Sequence, residues 1–535
     1  MYRQIILLLL FCLISYSSIC QNIDLKWSPE KKYQRSNDDL GYVGRVGSYF
    51  YTLRKQDKTM YLSKTRISDM NVVFEKEIRW NGTSKNPNDD LAFKSFRLFK
   101  DYFVFYFESS SNKESTQRIY AQKIDLEGAP FDPLVEIGTR PKERRNKDGS
   151  FQLAYSPDSA NFLLITNPSY EKYNNERFFF KVISKKLETL YQADITLPFA
   201  DKNFTVESFI LGKDQLIYIL AKIDLPRKSK NDDEPDYYYE VVTVDPKEKN
   251  KVTGFDIKLD NRYVDKVDII LNNKDELKCF GFYADMQGNG RRKSGINGIF
   301  YFSVVDNQAS NISVKAFDLR MVFEIEAETK QRGCFGKRAP KAEKGLAAFF
   351  NLRAFFAKPD GGMIVVAEKS YIRVVTTSNG NGGTTTTYYY VDYDILTTNI
   401  DASGNIAWYA HVPKKQVVAN DNRFGSIHAM YTGGKVYLIY NDEPENAANK
   451  TYKNVMRNYI KAVPVVVTIN EQGKIDKKII GKDSRGKNGF TLKPRISDTV
   501  SSNEAFFYAD RLSKACCVIG RLRAKATRYG ILTVR

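Results

Sequence analysis

Histidine is nearly absent from this 535-residue chain, and cysteine, tryptophan and long apolar runs are scarce. The two histidines, His411 and His428, have no second histidine or cysteine at metal-ligand spacing, which argues against a zinc site or a Ser-His-Asp triad. Each reads as a structural or surface residue. Past the first twenty residues the only cysteines are Cys279, Cys334, Cys516 and Cys517, too few for a disulfide framework in a chain this long. A Cys279–Cys334 bridge stays open beside two buried thiols, and the adjacent Cys516 and Cys517 read as packing residues on opposite faces of a strand. Carboxylate pairs such as Asp89 and Asp90, or Asp232 and Asp233, fall in turn-rich segments. The glycines at Gly288 and Gly290, and at Gly380 to Gly383, lack the strand-to-helix context of a phosphate cradle. No catalytic, cofactor or metal residue is therefore assigned, and the chain reads as non-enzymatic.

The one marked apolar run stands at the start. Tyr2, Arg3 and Gln4 precede Ile5 to Ile14, followed by the polar segment Ser15 to Gln21, the pattern of a secretory signal peptide. Cleavage after Cys20 makes residues 1–20 the leader and 21–535 the mature chain. A competing reading lipidates Cys20, although Ile19 stands where lipoprotein signals carry a small residue. No later run reaches the roughly 20 residues that span a bilayer, so no transmembrane segment is expected. The expected location is exported: periplasmic, outer-membrane associated or extracellular.

What is abundant is aromatic: 34 Tyr and 34 Phe, within a 42% hydrophobic composition that supports a sizeable core. From Gly41 onward one phrase recurs eight times: an apolar segment, a turn with Lys, Asp, Asn or Gly, an aromatic strand, a gap, and another aliphatic strand. The second unit runs Phe96–Phe99, Tyr102–Phe107, Arg118–Ile124 and Leu134–Ile137; the third runs Phe151–Tyr155, Asn161–Thr166, Arg177–Ile183 and Leu190–Leu197. Each is an antiparallel four-strand meander, repeating about every 50 residues. Such a unit cannot cover both its faces alone, so the expected fold is all-β: one large β-propeller of seven or eight four-stranded blades. Runs such as Tyr102–Phe107 and Val463–Ile469 have the continuous apolar character of strands covered on both faces. Ile23–Trp27 is expected to join the last blade, around Glu504 to Leu522, and close the ring. Family signatures are missing: there is no Trp-Asp dipeptide, no Ser-x-Asp-x-Gly-x-x-Trp box and no double-glycine kelch phrase.

Two insertions interrupt the pattern. Residues 321–351 are expected to form a loop with a short helix, and 371–396 a projecting hairpin about Ser378-Asn379-Gly380-Asn381-Gly382-Gly383. Asp360-Gly361-Gly362-Met363-Ile364-Val365-Val366-Ala367-Glu368, the Tyr388-Tyr389-Tyr390 hairpin, Ile406-Ala407-Trp408, Val412-Pro413-Lys414-Lys415-Gln416 and Lys435 to Asp442 together resemble a family of uncharacterised exported proteins of the Bacteroidota. The resemblance covers the last 200 or so residues best, implies a propeller-like fold and lends no activity.

Charge alone gives a direction. The formal balance is +19, and the basic residues gather in Arg140–Lys147, Arg227–Lys230, Lys330–Lys344 and Lys474–Lys487. A basic exterior favours anionic glycan, lipopolysaccharide or phospholipid headgroups, with attraction that weakens in salt; an envelope protein is a further candidate partner, and a basic isoelectric point with no partner of that kind is the alternative. Export makes nucleic acid a poor candidate. The sequence thus points to a binding or scaffold protein of the cell envelope. The alternatives are a glycan-active hydrolase or lyase on a propeller, or a structural subunit of an envelope assembly. The candidate binding residues are Arg291, Arg292 and Lys293 in one loop, and Tyr388, Tyr389 and Tyr390 on the hairpin.

Overall fold

Along Tyr102–Ser111 successive side chains point to opposite faces, and both faces are covered. Phe103, Phe105 and Phe107 pack with Tyr51, Leu53 and Leu62, whereas Val104 and Tyr106 pack with Phe162 and Leu164. Complete burial of each such phenylalanine is worth about 1.5–3 kcal/mol. A strand covered twice needs a sheet on either side, and that requirement, repeated, generates the whole architecture.

The computed structural model describes residues 23–32, 37–56, 59–79, 91–111, 115–142, 149–168, 174–225, 236–272, 274–286, 295–330, 345–346, 350–378, 383–449, 454–486, 489–514 and 522–535. Its strands form eight antiparallel sheets arranged as the blades of a propeller. Blades 1 to 7 occupy 37–77, 92–141, 150–200, 204–257, 262–316, 350–412 and 428–479; blade 8 is built from 491–534 and the N-terminal strand. Eight apolar clusters each join two successive blades, and the last joins Tyr42 and Phe50 of blade 1 to Phe506, Tyr508, Tyr529 and Ile531 of blade 8. The ring is therefore closed, with eight blades.

The closing strand, Ile23–Trp27, pairs antiparallel with Leu522–Val534, matching Leu25 to Leu532 and Trp27 to Gly530. Its partner is thus the strand after Glu504–Lys514, so the two chain ends lie side by side. A Cβ on Gly530 would stand 2.5 Å from the Trp27 ring, so glycine is what permits this approach. Trp27 also meets Phe490 at 4.2 Å between ring centroids, with the Arg528 guanidinium 4.5 Å from its own ring.

First strands of successive blades touch one another around the axis, as Phe204–Leu211 touches Arg262–Leu271. In blades 2, 4, 5 and 6 this inner strand carries a bulge, at Lys94, Glu207, Asp265 and Arg353 respectively. A bulge leaves one residue outside the ladder and re-aims its side chain.

The two ends of the ring differ. Turns joining first to second and third to fourth strands leave one end and are short. Several are closed by one Asp or Asn oxygen accepting two backbone N–H groups, as Asp401 does from Ser403 and Asn405, with Gly404 at φ +86°. Connections from second to third strands, and from blade to blade, leave the opposite end and are mostly long. They include the stretch between Ala316 and Phe350, which opens with the helix Leu319–Lys330. Asp318 caps that helix through the N–H groups of Arg320 and Met321, and Met321, Val322 and Ile325 pack into the cluster between blades 5 and 6. The same end carries the hairpin of blade 6, Met363–Ser378 with Thr384–Ile400. Phe350–Ala357 pairs with the first of these strands only as far as Lys369, and beyond it the hairpin continues without that neighbour.

Candidate functional site

At the long-connection end, blades 6 to 8 bury an ionic network. Its first residue, Glu368, follows the run Met-Ile-Val-Val-Ala in the strand Met363–Ser378, and its side chain has no exposure. Three groups meet it: Lys414 Nζ at 2.9 Å, Arg353 Nε at 2.7 Å and Ser426 Oγ at 2.6 Å, with Arg353 also donating to Ser370 Oγ at 2.7 Å. Burial works against the charge on Glu368, yet Lys414 and Arg353 together hold its carboxyl below the usual range.

Asp392, on the next strand, is the second buried carboxylate. Arg495 donates to its Oδ1 at 2.6 Å from the turn Pro494–Ile496, and Arg353 stands at 3.7 Å. Burial and the charge of Glu368 push the Asp392 carboxyl up. Its Oδ2 has no hydrogen-bond partner, and neither has the hydroxyl of the fully buried Tyr459. Burial, followed by the carboxylates of Asp392 and Glu368, drives the Tyr459 hydroxyl well above its ordinary value. The absence of a side chain at Gly425 matters here, because a Cβ would lie 2.5 Å from Asp392 Oδ2.

The network is extended by amides and further ion pairs. Lys414 donates to the Asp392 carbonyl and to Gln416 Oε1, each at 2.8 Å; Gln416 donates to the Asn441 carbonyl at 2.7 Å. Asn441 then donates from the second strand of blade 7 to the carbonyls of Phe424 and Leu492, tying together the connections on either side of that blade. Lys493 pairs with Asp510 at 2.8 Å, and Lys477 pairs with Asp442. Within the central group, Glu368 and Asp392 face Lys414, Arg353 and Arg495, leaving one positive charge in excess. Only the two arginines reach out of it, with side chains 24% and 22% exposed. Arg353 sits at the bulge of an inner strand, and Arg495 directly precedes the inner strand of blade 8, Asp498–Ser501. The arrangement offers two oriented guanidinium forks near the axis, suited to carboxylate, phosphate or sulfate.

The residues singled out from sequence fall elsewhere or apart. Arg291, Arg292 and Lys293 lie outside the described residues, as do the leader 1–20, Cys334, Cys516 and Cys517. Cys279 is a buried free thiol. Tyr388 and Tyr390 lie on one face of the hairpin and Tyr389 on the other. Tyr388 is 47% exposed and forms an apolar strip with the exposed Ile372 and Val374; Tyr389 lies 4.8 Å from the Arg373 guanidinium; Tyr390 packs against Val418, Phe424, Met456 and Tyr459. The hairpin therefore brings only Tyr390 toward the network. His411 Nε2 lies 3.0 Å from Asp394 Oδ1, and His428 is buried edge-on against Phe507.

The most enzyme-like pair of acids is elsewhere, in an opening of about 460 Å³ between blades 3 and 4 that is lined by Ser150, Gln152, Asn167, Arg177, Glu176 and Asp201 among others. Burial, then a hydrogen bond and charge from Asp201, raise the Glu176 carboxyl to about 8. Two carboxyls bonded to each other share a proton.

No protein-family profile matches the chain, and no curated protein sequence does. Among solved structures it is similar to the WD40 domain of SCAP from fission yeast, at 10% identity and a TM-score of 0.38, over 96% of this chain and 98% of that one. It is similar to the Dos1 propeller at 8% identity and a TM-score of 0.38, over 94% and 95%. Prolyl oligopeptidase B from Galerina marginata matches at 7% identity and a TM-score of 0.39, over 89% of this chain but 56% of its own length. None of these likenesses transfers an activity.

Proposed function

We propose that the protein is an exported, non-enzymatic binding module of the cell envelope that engages anionic material through the long-connection end of blades 6 to 8. In this reading residues 1–20 are removed and 21–535 form the working propeller. The observation that carries it is the pair Arg353 and Arg495, each fixed by a buried carboxylate and each left partly open near the axis. Fixing a guanidinium in advance lowers the ordering cost of binding an anion and gives a planar, two-point contact that an unrestrained lysine does not. The excess positive charge of the central group and the +19 balance of the chain act in the same direction. Lipopolysaccharide, acidic glycans and phospholipid headgroups are the anionic materials that an exported chain meets.

The test is binding of the chain from Gln21 onward to lipopolysaccharide, an acidic polysaccharide and anionic vesicles across a salt series, with a neutral polysaccharide as control. The expected result is salt-sensitive binding to at least one anionic material, weakened about tenfold or more by Arg495→Lys, which keeps the charge and loses the fork. Equal binding to the neutral control, or no response to Arg495→Lys, would overturn the assignment. The hydrolase alternative predicts instead that an acidic glycan is cleaved and that Glu176→Gln abolishes cleavage.

A further inference from the structure

Between blades 7 and 8, on the outer side of the network, the chain leaves a second opening of about 780 Å³. Among the described residues, every charged side chain that lines it is a cation: Lys461, Arg485, Arg511 and Lys525. Arg485 pairs with Asp483 and Arg511 with Glu30, each at 2.7 Å, but both carboxylates sit outside the lining. Lys461 and Lys525 are exposed and make no ion pair among the described residues. Ile460 and Leu512 supply an apolar flank. Both belong with the cluster that contains Tyr459, so the opening rests on packed structure.

Four cations converging on one concave site repel one another unless an anion occupies it, and two of them already have their guanidiniums oriented by a carboxylate behind. We propose that this opening is a second binding site, for a multivalent oxyanion: a phosphate or sulfate ester carried on a sugar or a lipid. The inference extends the anion-binding reading to a site that shares no residue with Arg353 and Arg495, so the two succeed or fail separately. Arg485 and Arg511 provide the planar contacts, Lys461 and Lys525 the mobile charges, and the apolar flank accommodates the carrier.

The experiment is calorimetric titration of inorganic pyrophosphate into the chain from Gln21 onward at low ionic strength. Saturable binding is expected. It should be weakened about tenfold or more in the double variant Lys461→Gln, Lys525→Gln and unchanged in Arg495→Lys. The two lysines are exposed and unpaired, so the thermal midpoint of the double variant should match that of the parent. Repeating the titration with a sulfated disaccharide and with phosphatidylglycerol vesicles distinguishes the carrier: loss of either interaction in the double variant supports the site and identifies the source. Absence of pyrophosphate binding by the parent chain, or undiminished binding by the double variant, overturns the proposal.

Discussion

Arg495 Nη2 lies 2.6 Å from Asp392 Oδ1 although the two residues are 103 positions apart. One contact thus joins the approach to blade 8 with the third strand of blade 6. It spans the intervening blade 7.

Removing the acid from this pair should be costly. Asp392→Asn leaves Arg495 without its counter-charge and Arg353 with only Glu368, and breaking a buried pair on one side typically costs about 3–5 kcal/mol. Denaturant unfolding at neutral pH should show a loss of this order, and a change below about 1 kcal/mol would mean that solvent reaches the network freely.

Ring closure gives a second prediction. Lys26→Pro removes a ladder donor opposite Ile531 and should lower stability by about 3 kcal/mol or more. Limited proteolysis should then release fragments from blade 8 first, because its outer edge is exposed. Unchanged resistance would indicate that the blade interfaces alone hold the ring.

Two acids make stability fall as pH rises. Burial, with Asp201, lifts Glu176 to about 8, and burial, with Asp256, lifts Glu240 to about 7. A group raised in the folded state contributes stability that is complete below its unfolded value, near 4.5, and lost as pH climbs through the folded one. Glu176→Gln should therefore stabilise the chain by about 1–2 kcal/mol at pH 8.5, after allowance for partial solvent screening, and leave it nearly unchanged at pH 5. Thermal midpoints at the two pH values read this directly.

His428 works in the opposite sense. Burial depresses it to about 4, so its contribution is complete above 6.5 and disappears as pH falls from 6.5 through 4, amounting to roughly 3 kcal/mol. His428→Gln should flatten the acid limb of the stability profile without changing the alkaline limb set by Glu176.

The architecture was legible because its signal is local and repeated. Tyr102–Phe107 reads as apolar at every position only if both faces are covered, and the Asp, Asn and Gly turns recur where the short connections fall. Blade number came out at the upper of the two expected values. It was settled by the aromatic contact of Tyr42 with Phe506, which no local pattern contains. The ionic network was not legible, because Arg353, Glu368, Asp392, Lys414 and Arg495 come from separate strands and turns and meet only through ladder register and the stacking of blades 6 to 8. A signal did exist: Asp392 and Asp394 interrupt the apolar and aromatic run from Tyr388 to Leu396 of one strand, and Glu368 follows the apolar run Met363 to Ala367 of another. A charge set into a buried strand needs a partner, which is a reason to search for one. The tyrosine triplet divides for a simple reason. Consecutive residues in a strand alternate faces, so Tyr388, Tyr389 and Tyr390 cannot form one surface.

The most direct measurement of the central claim is amide hydrogen exchange of the chain with and without bound acidic polysaccharide. Binding at the long-connection end predicts added protection in 412–427, 454–462 and 484–497, with none in the short turns at 99–101, 156–160 and 212–216. Protection confined to those short turns, or spread evenly around the ring, would contradict the account.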